Sequence, residues 1–201
     1  MSSSVEICNL ALSHLGINKE ISNIETERSI EALACRRFFP ICRDATLEDF
    51  EWPFARRFAD LALVEEDPTD EWAYSYRYPT NAITIRRILS GVRNDTLQSR
   101  VPYEIVNDDA GKLIYTDLDD ASIEYTYRVT NSEHFSPAFV IAMSYRLAHM
   151  IAPRLTAGDS RDLGGNAFKF YLMHIANAKA LSLKEEAPDY PSDAELIRGR
   201  E

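Results

Sequence analysis

The stretch Thr26 to Leu63, TERSIEALACRRFFPICRDATLEDFEWPFARRFADLAL, decides how the rest of the chain is arranged. At about 100° per residue, Ile30, Leu33, Ala34, Phe38, Ile41, Cys42 and Ala45 fall on one broad face. Arg36, Arg37, Arg43 and Asp44 gather on the other. An apolar arc that wide predicts a long helix pressed into a core over most of its circumference. Pro40 enters from the charged side and removes a hydrogen bond to the carbonyl of Arg36. Water can satisfy that carbonyl, so the expectation is one helix bent convex toward solvent, with two separate helices as the rival. The helical pattern stops at Glu51-Trp52-Pro53, because a residue before proline is pushed out of the helical region. An extended run, Phe58 to Val64, follows.

Upstream, Ser3 with Glu6 fits a capping box for a helix through Leu15, and Gly16 stands where a C-terminal glycine belongs. Val5, Cys8, Leu12 and Leu15 form its inner stripe. Downstream of Phe58 the period changes from 3.6 toward 2. Trp72, Tyr74, Tyr76 and Tyr78 line one side of a strand, and Ala82–Leu89, Tyr103–Val106, Leu113–Tyr115 and Ser122–Tyr127 are further short strands. Turn residues separate them: Asp67-Pro68, Ser90-Gly91, Asp108 to Gly111 and Asp117 to Asp120. Helix returns at Ser136-Pro137, where Phe135 and Val140 are placed for a hydrophobic staple, and Pro153 lies inside it. A last helix starts at Ser160 or, after Gly164-Gly165, at Asn166 and runs to Lys184, lined by Phe168, Tyr171, Leu172, Ile175 and Ala178. The expected fold is mainly α. It is a helical bundle (residues 1–57 and 132–187) with an inserted small antiparallel β module (58–131) and an extended tail (188–201).

Composition narrows the function. The 201 residues carry a formal charge of −10, and the segment 61–130 alone has 13 acidic against 7 basic groups. A surface of that sign does not grip phosphate backbones without regard to sequence. Cys8, Cys35 and Cys42 are odd in number and lie on apolar helical faces, as reduced core thiols do. The start, MSSSVEICNL, lacks the basic and apolar segments of a signal peptide, and no run approaches a membrane span, so neither is expected.

Little catalytic chemistry is written in the chain. His14, His134, His149 and His174 are scattered, and no zinc, nucleophile-elbow, phosphate-loop or dinucleotide motif is present. Neither a cofactor nor a metal site is expected. Asp108/Asp109 and Asp119/Asp120 could in principle supply an acid and a base for glycoside hydrolysis, but they sit in turns rich in neighbouring acids, where solvated turn chemistry is the ordinary explanation. Three Arg-Arg pairs, Arg36-Arg37, Arg56-Arg57 and Arg86-Arg87, stand out, because arginine is favoured where protein surfaces meet.

In order and spacing, several pieces resemble the head–tail connector adaptors of tailed bacteriophages, including the tail tubular protein A type. They are ICNLALSHLGI, the arginine-bearing helix ending in Trp-Pro-Phe-Ala, WAYSYRYPTNAITIRRI, the segment from YRLAHMIAPRL to SLKEE, and the terminal PSDAELIRGR. The resemblance implies a structural protein of the virion, present in the host cytoplasm during assembly, and not an enzyme. It implies a ring, usually of twelve copies, under the portal, which extends the DNA channel and docks the next tail or nozzle protein. Leu196, Ile197, Arg198 and Arg200 would contact the portal. Arg36, Arg56, Arg57, Arg86 and Arg87 would meet neighbouring subunits. Asp108, Asp109, Asp119 and Asp120 would face the channel, where DNA slides without specific binding. The rival of a different class is an acidic hydrolase of carbohydrate or peptidoglycan.

Overall fold

The structure is a computed structural model that describes residues 3–92, 99–156 and 160–185. Its elements are α1 (Ser4–His14), α2 (Ile30–Asp49), β1 (Arg56–Asp60), β2 (Leu63–Thr69), β3 (Trp72–Arg77) and β4 (Ala82–Ile88). These are followed by β5 (Glu104–Asp108), β6 (Gly111–Thr116), β7 (Ser122–Tyr127), α3 (Pro137–Leu155) and α4 (Ser160–Glu185). The expectation of a mainly α helical bundle is corrected. With 46% helix and 25% strand in two antiparallel sheets, the fold is α+β. The strands are too many to be an accessory, because they bury a core of their own around Tyr76, Ile88, Ile114 and Ile123.

Local chemistry starts and stops the helices. Ser3 and Glu6 form the reciprocal capping box of α1. At its other end the Gly16 amide donates to the Ser13 carbonyl and the Ile17 amide to that of Leu12, a Schellman closure that needs the φ of +72° at Gly16. Ser29 caps α2, which runs unbroken past an exposed Pro40. Its buried face is rotated from expectation. Ala32, Ala34, Cys35, Phe39, Cys42, Thr46 and Leu47 are inside, whereas Ile30, Leu33 and Ile41 are 59%, 39% and 54% exposed. Ser136 caps α3 with Pro137 at its first turn, and Phe135 and Val140 are both buried across the cap. The helix α4 starts at Ser160, so the two glycines do not delay it. A Cβ on Gly164 would meet the Ala152 Cβ at 3.0 Å, which is why α3 and α4 come this close only at a glycine.

Helix α3 is the hub, packed on α1, α2 and α4. Trp52, at the turn that ends α2, is sealed against it: the ring stands edge-on to Phe50 and Phe139, and its Nε1 donates to the Thr46 carbonyl at 2.8 Å. One sheet has the order β1-β7-β4 and the other β2-β3-β6-β5. The extended run Phe58–Val64 therefore divides between two strands in different sheets. The Leu61 amide donates to the Ala121 carbonyl and the Arg77 amide to that of Ala62, carrying one edge ribbon from sheet to sheet. Asp67-Pro68, expected as a turn, lies inside β2, where Asp67 takes a φ of +49° and the register slips.

Candidate functional interface

Three of the paired arginines are drawn to one carboxylate. Glu124 lies on β7, the middle strand of its sheet, and is only 5% exposed. From β1, the Arg56 Nε reaches its Oε1 at 2.7 Å. From β4, the Arg87 Nε reaches its Oε2 at 2.8 Å, and an Arg86 Nη1 stands 3.9 Å away. Consecutive residues of a strand normally face opposite sides. Here a register shift between Ile85 and Arg87 inserts one extra residue, so Arg86 and Arg87 both reach Glu124. Arg86 also donates to Thr126 Oγ1 at 3.1 Å and to the Trp52 carbonyl at 2.7 Å, tying the sheet to the end of α2. With three guanidinium groups around one carboxylate, the cluster itself carries net positive charge in an acidic protein.

Arg57 points to the other side of β1, its guanidinium 3.6 Å from the Tyr127 ring centroid. It borders a polar cleft of about 390 Å³ with Phe54, Val129, Asn131 and His134. Arg36 belongs to neither group. Its Nε and Nη2 donate to the carbonyls of Ile24 (2.7 Å) and Glu27 (3.0 Å), pinning the α1–α2 connection to α2.

The acidic pairs occupy opposite ends of β6. Asp108 closes the β5–β6 hairpin and accepts both Nη groups of Arg77 at 3.1 Å, which with the Ala110 amide holds its carboxyl below the usual range. Asp109 is exposed in the same turn. Asp119 and Asp120 lie past the far end of the strand, the Asp120 amide donating to Asp119 Oδ1 at 2.9 Å. Six residues of strand separate the pairs by roughly 20 Å, so they do not converge on a common point. Near Asp119, the Tyr74 phenol is pushed up by that carboxylate first, then by burial, Glu66 and Asp67, which marks an acidic end of the second sheet.

Polar groups between the helices fasten them to one another. Asp49 of α2, Arg146 of α3 and Tyr171 of α4 form a closed triangle: Arg146 and the Tyr171 hydroxyl both donate to Asp49, and Arg146 donates to the Tyr171 oxygen at 2.7 Å. Burial, then the bond to Asp49, raises the Tyr171 phenol well above its ordinary range. His14 stacks on Tyr145 at 3.8 Å, and His174 stacks on the same ring at 5.2 Å. The Ser144 hydroxyl donates to the Ile141 carbonyl, so His14 Nε2, 3.1 Å from Ser144 Oγ, acts as the donor. Neither group was visible as a unit in the sequence, since each joins residues more than 90 positions apart.

The larger uncovered surfaces are apolar. Among the described residues of α4 only a narrow stripe through Gly164, Ala167, Tyr171, Ile175 and Ala178 is buried. Phe168 and Leu172, expected inside, are 38% and 52% exposed, and Phe170, Met173 and Leu181 join them outside. Beside Leu181 runs an apolar groove of about 290 Å³ with Phe50, Trp52 and Phe54 in its wall. Among the described residues no group of three or more His, Cys, Asp or Glu side chains could hold a metal ion, and no helix is long and apolar enough to cross a membrane. Leu196, Ile197, Arg198 and Arg200 lie outside the described residues. No family model matches the sequence, and no curated protein matches it significantly.

Proposed function

We propose that the protein is a structural head-to-tail adaptor of a tailed bacteriophage, assembling as a ring, of twelve copies by resemblance, beneath the portal. The observation that supports this reading is the pair of unlike apolar faces left uncovered on one subunit. One is the outer stripe of α2 with Ile30, Leu33 and Ile41; the other is the outer side of α4 with Phe170, Leu172 and Met173. Exposed apolar patches of this kind mark protein contacts. Two different patches on one chain suit the head-to-tail contacts that close a ring. The acidic end of the second sheet suits a wall along which DNA slides, since like charge repels phosphate.

Incubation with purified portal rings, followed by negative-stain imaging, tests the reading: an added layer of density is expected, and bare portals would refute it. Removal of Pro188–Glu201 should abolish that docking and leave the thermal transition unchanged. Docking by the truncated chain would remove the portal role from Leu196, Ile197, Arg198 and Arg200.

A further inference from the structure

The apolar groove of about 290 Å³ lies where α2 ends and α4 finishes, with Phe50, Trp52 and Phe54 along one wall. Ala138 of α3 and Ala178 and Leu181 of α4 form the other. Two alanines are too small to fill the space between the helices and the rings. Leu181, on the rim, is 55% exposed. It stands one helical turn, about 6 Å, before Glu185, where α4 ends. Residues 186–201 lie outside the described ones, and their sequence begins Glu186-Ala187-Pro188-Asp189-Tyr190-Pro191-Ser192. Pro188 and Pro191 are spaced by one turn of a polyproline helix, with a tyrosine between them. Proline and the residue before it favour that extended backbone even in a free chain, so docking such a segment loses little entropy. Grooves lined by aromatic side chains bind segments of this Pro-x-x-Pro pattern.

We propose that Pro188–Pro191 folds back and docks in this groove of its own chain, the Tyr190 ring against Phe50, Trp52 and Phe54. From Glu185 to Tyr190 the extended backbone spans ~15 Å, enough to retrace the turn to Leu181. A tyrosine brings a large apolar area, and contacts between aromatic rings add to it. On so short a linker the segment stands at an effective concentration in the ~mM range. The groove is therefore filled from within before a second copy or a separate partner reaches it. A contact occupied about half the time shifts melting by only about 1 °C, within the scatter of a thermal transition. The other apolar pair of the tail, Leu196 and Ile197, lies farther along with no proline beside it. Docking of Pro188–Pro191 leaves that pair free, and the inference stands independently of the portal reading.

Trp52 and Trp72 are the two tryptophans of the chain, so proton–nitrogen correlation spectra of the labelled full-length protein carry one indole signal from each. Trp72→Phe assigns them. Tyr190→Ala should move the Trp52 signal and leave that of Trp72 in place. In a Leu181→Glu background, where a charge on the exposed rim bars the groove, Tyr190→Ala should no longer move it. Free peptide of residues 187–192, added at ~5 mM to the Tyr190→Ala chain, should return the Trp52 signal toward its wild-type position. A Trp52 signal that is the same in wild type and Tyr190→Ala overturns the proposal. So does one that ignores the peptide, or that Tyr190→Ala still moves when Leu181 is glutamate. A wild-type signal that shifts between ~20 and ~500 µM protein overturns it as well, because a groove filled by a second copy's tail depends on concentration.

Discussion

Around Trp52 the helical layer is packed by aromatic rings, whereas around Glu124 the sheet layer is fastened by three guanidinium groups on one carboxylate. Apolar packing has no direction. It tolerates a helix such as α4, which is held by a narrow stripe and leaves Phe170 and Leu172 outside. An ion cluster is directional, and a strand that slips by one residue loses it. The helical layer is therefore built for broad contact, and the sheet layer for contact in register.

The largest effect should come from the helical side. Trp52→Ala removes a 2%-exposed ring and its bond to Thr46, and should cost about 3–5 kcal/mol in urea denaturation. A loss below ~1 kcal/mol would mean that the rings around it reclose, against the packing described. Slightly smaller, at about 3 kcal/mol, is the expected cost of Glu124→Gln, which removes the largely buried charge that Arg56, Arg86 and Arg87 share. Should that variant unfold like the wild type, the sheet would owe its stability to apolar burial as the helices do. Gly165→Ala meets open space on α4 and should stabilise by ~0.5–1 kcal/mol. Gly164→Ala, against Ala152, should show no such gain, and equal melting shifts would disprove the close approach of α3 and α4. The smallest effect concerns pH. Burial, and then the charge of His174, hold His14 below its ordinary value of 6.5. A histidine kept neutral by folding lends stability that is full above that value and is lost as pH falls through its lower folded value. Melting temperature should thus drop on acidification below pH ~6, and His14→Phe should flatten that slope.

Much of the architecture was legible from residues near one another. The capping box at Ser3, the glycine stop at Gly16, the Ser136-Pro137 start and six runs of strand all depend on local chemistry. What depended on distant partners was not legible. The buried face of α2 turned away from Ile30 and Ile41, because the hub helix α3 meets the side bearing Cys35, Phe39 and Cys42. The weight of the β part was underestimated, since β2 with its acids and Pro68 shows no alternation and gains its place only by pairing with β3. At the candidate interface the arginine pairs were found as sequence doublets. Their gathering on Glu124 needed the shifted register of β4, which no doublet reveals. The closed triangle of Asp49, Arg146 and Tyr171 left no trace in any short window.

The three cysteines supply a native clock for opening of the helical layer. Cys8, Cys35 and Cys42 are all free and buried where α1 and α2 meet the hub. Contact with Cys35 and burial raise the Cys8 thiol, and burial pushes Cys42 up to about 12, so the reactive thiolate is scarce in the closed form. An alkylating reagent must therefore wait for the helices to part. The unmodified chain reports how often they do, with one mass increment for each sulfur reached.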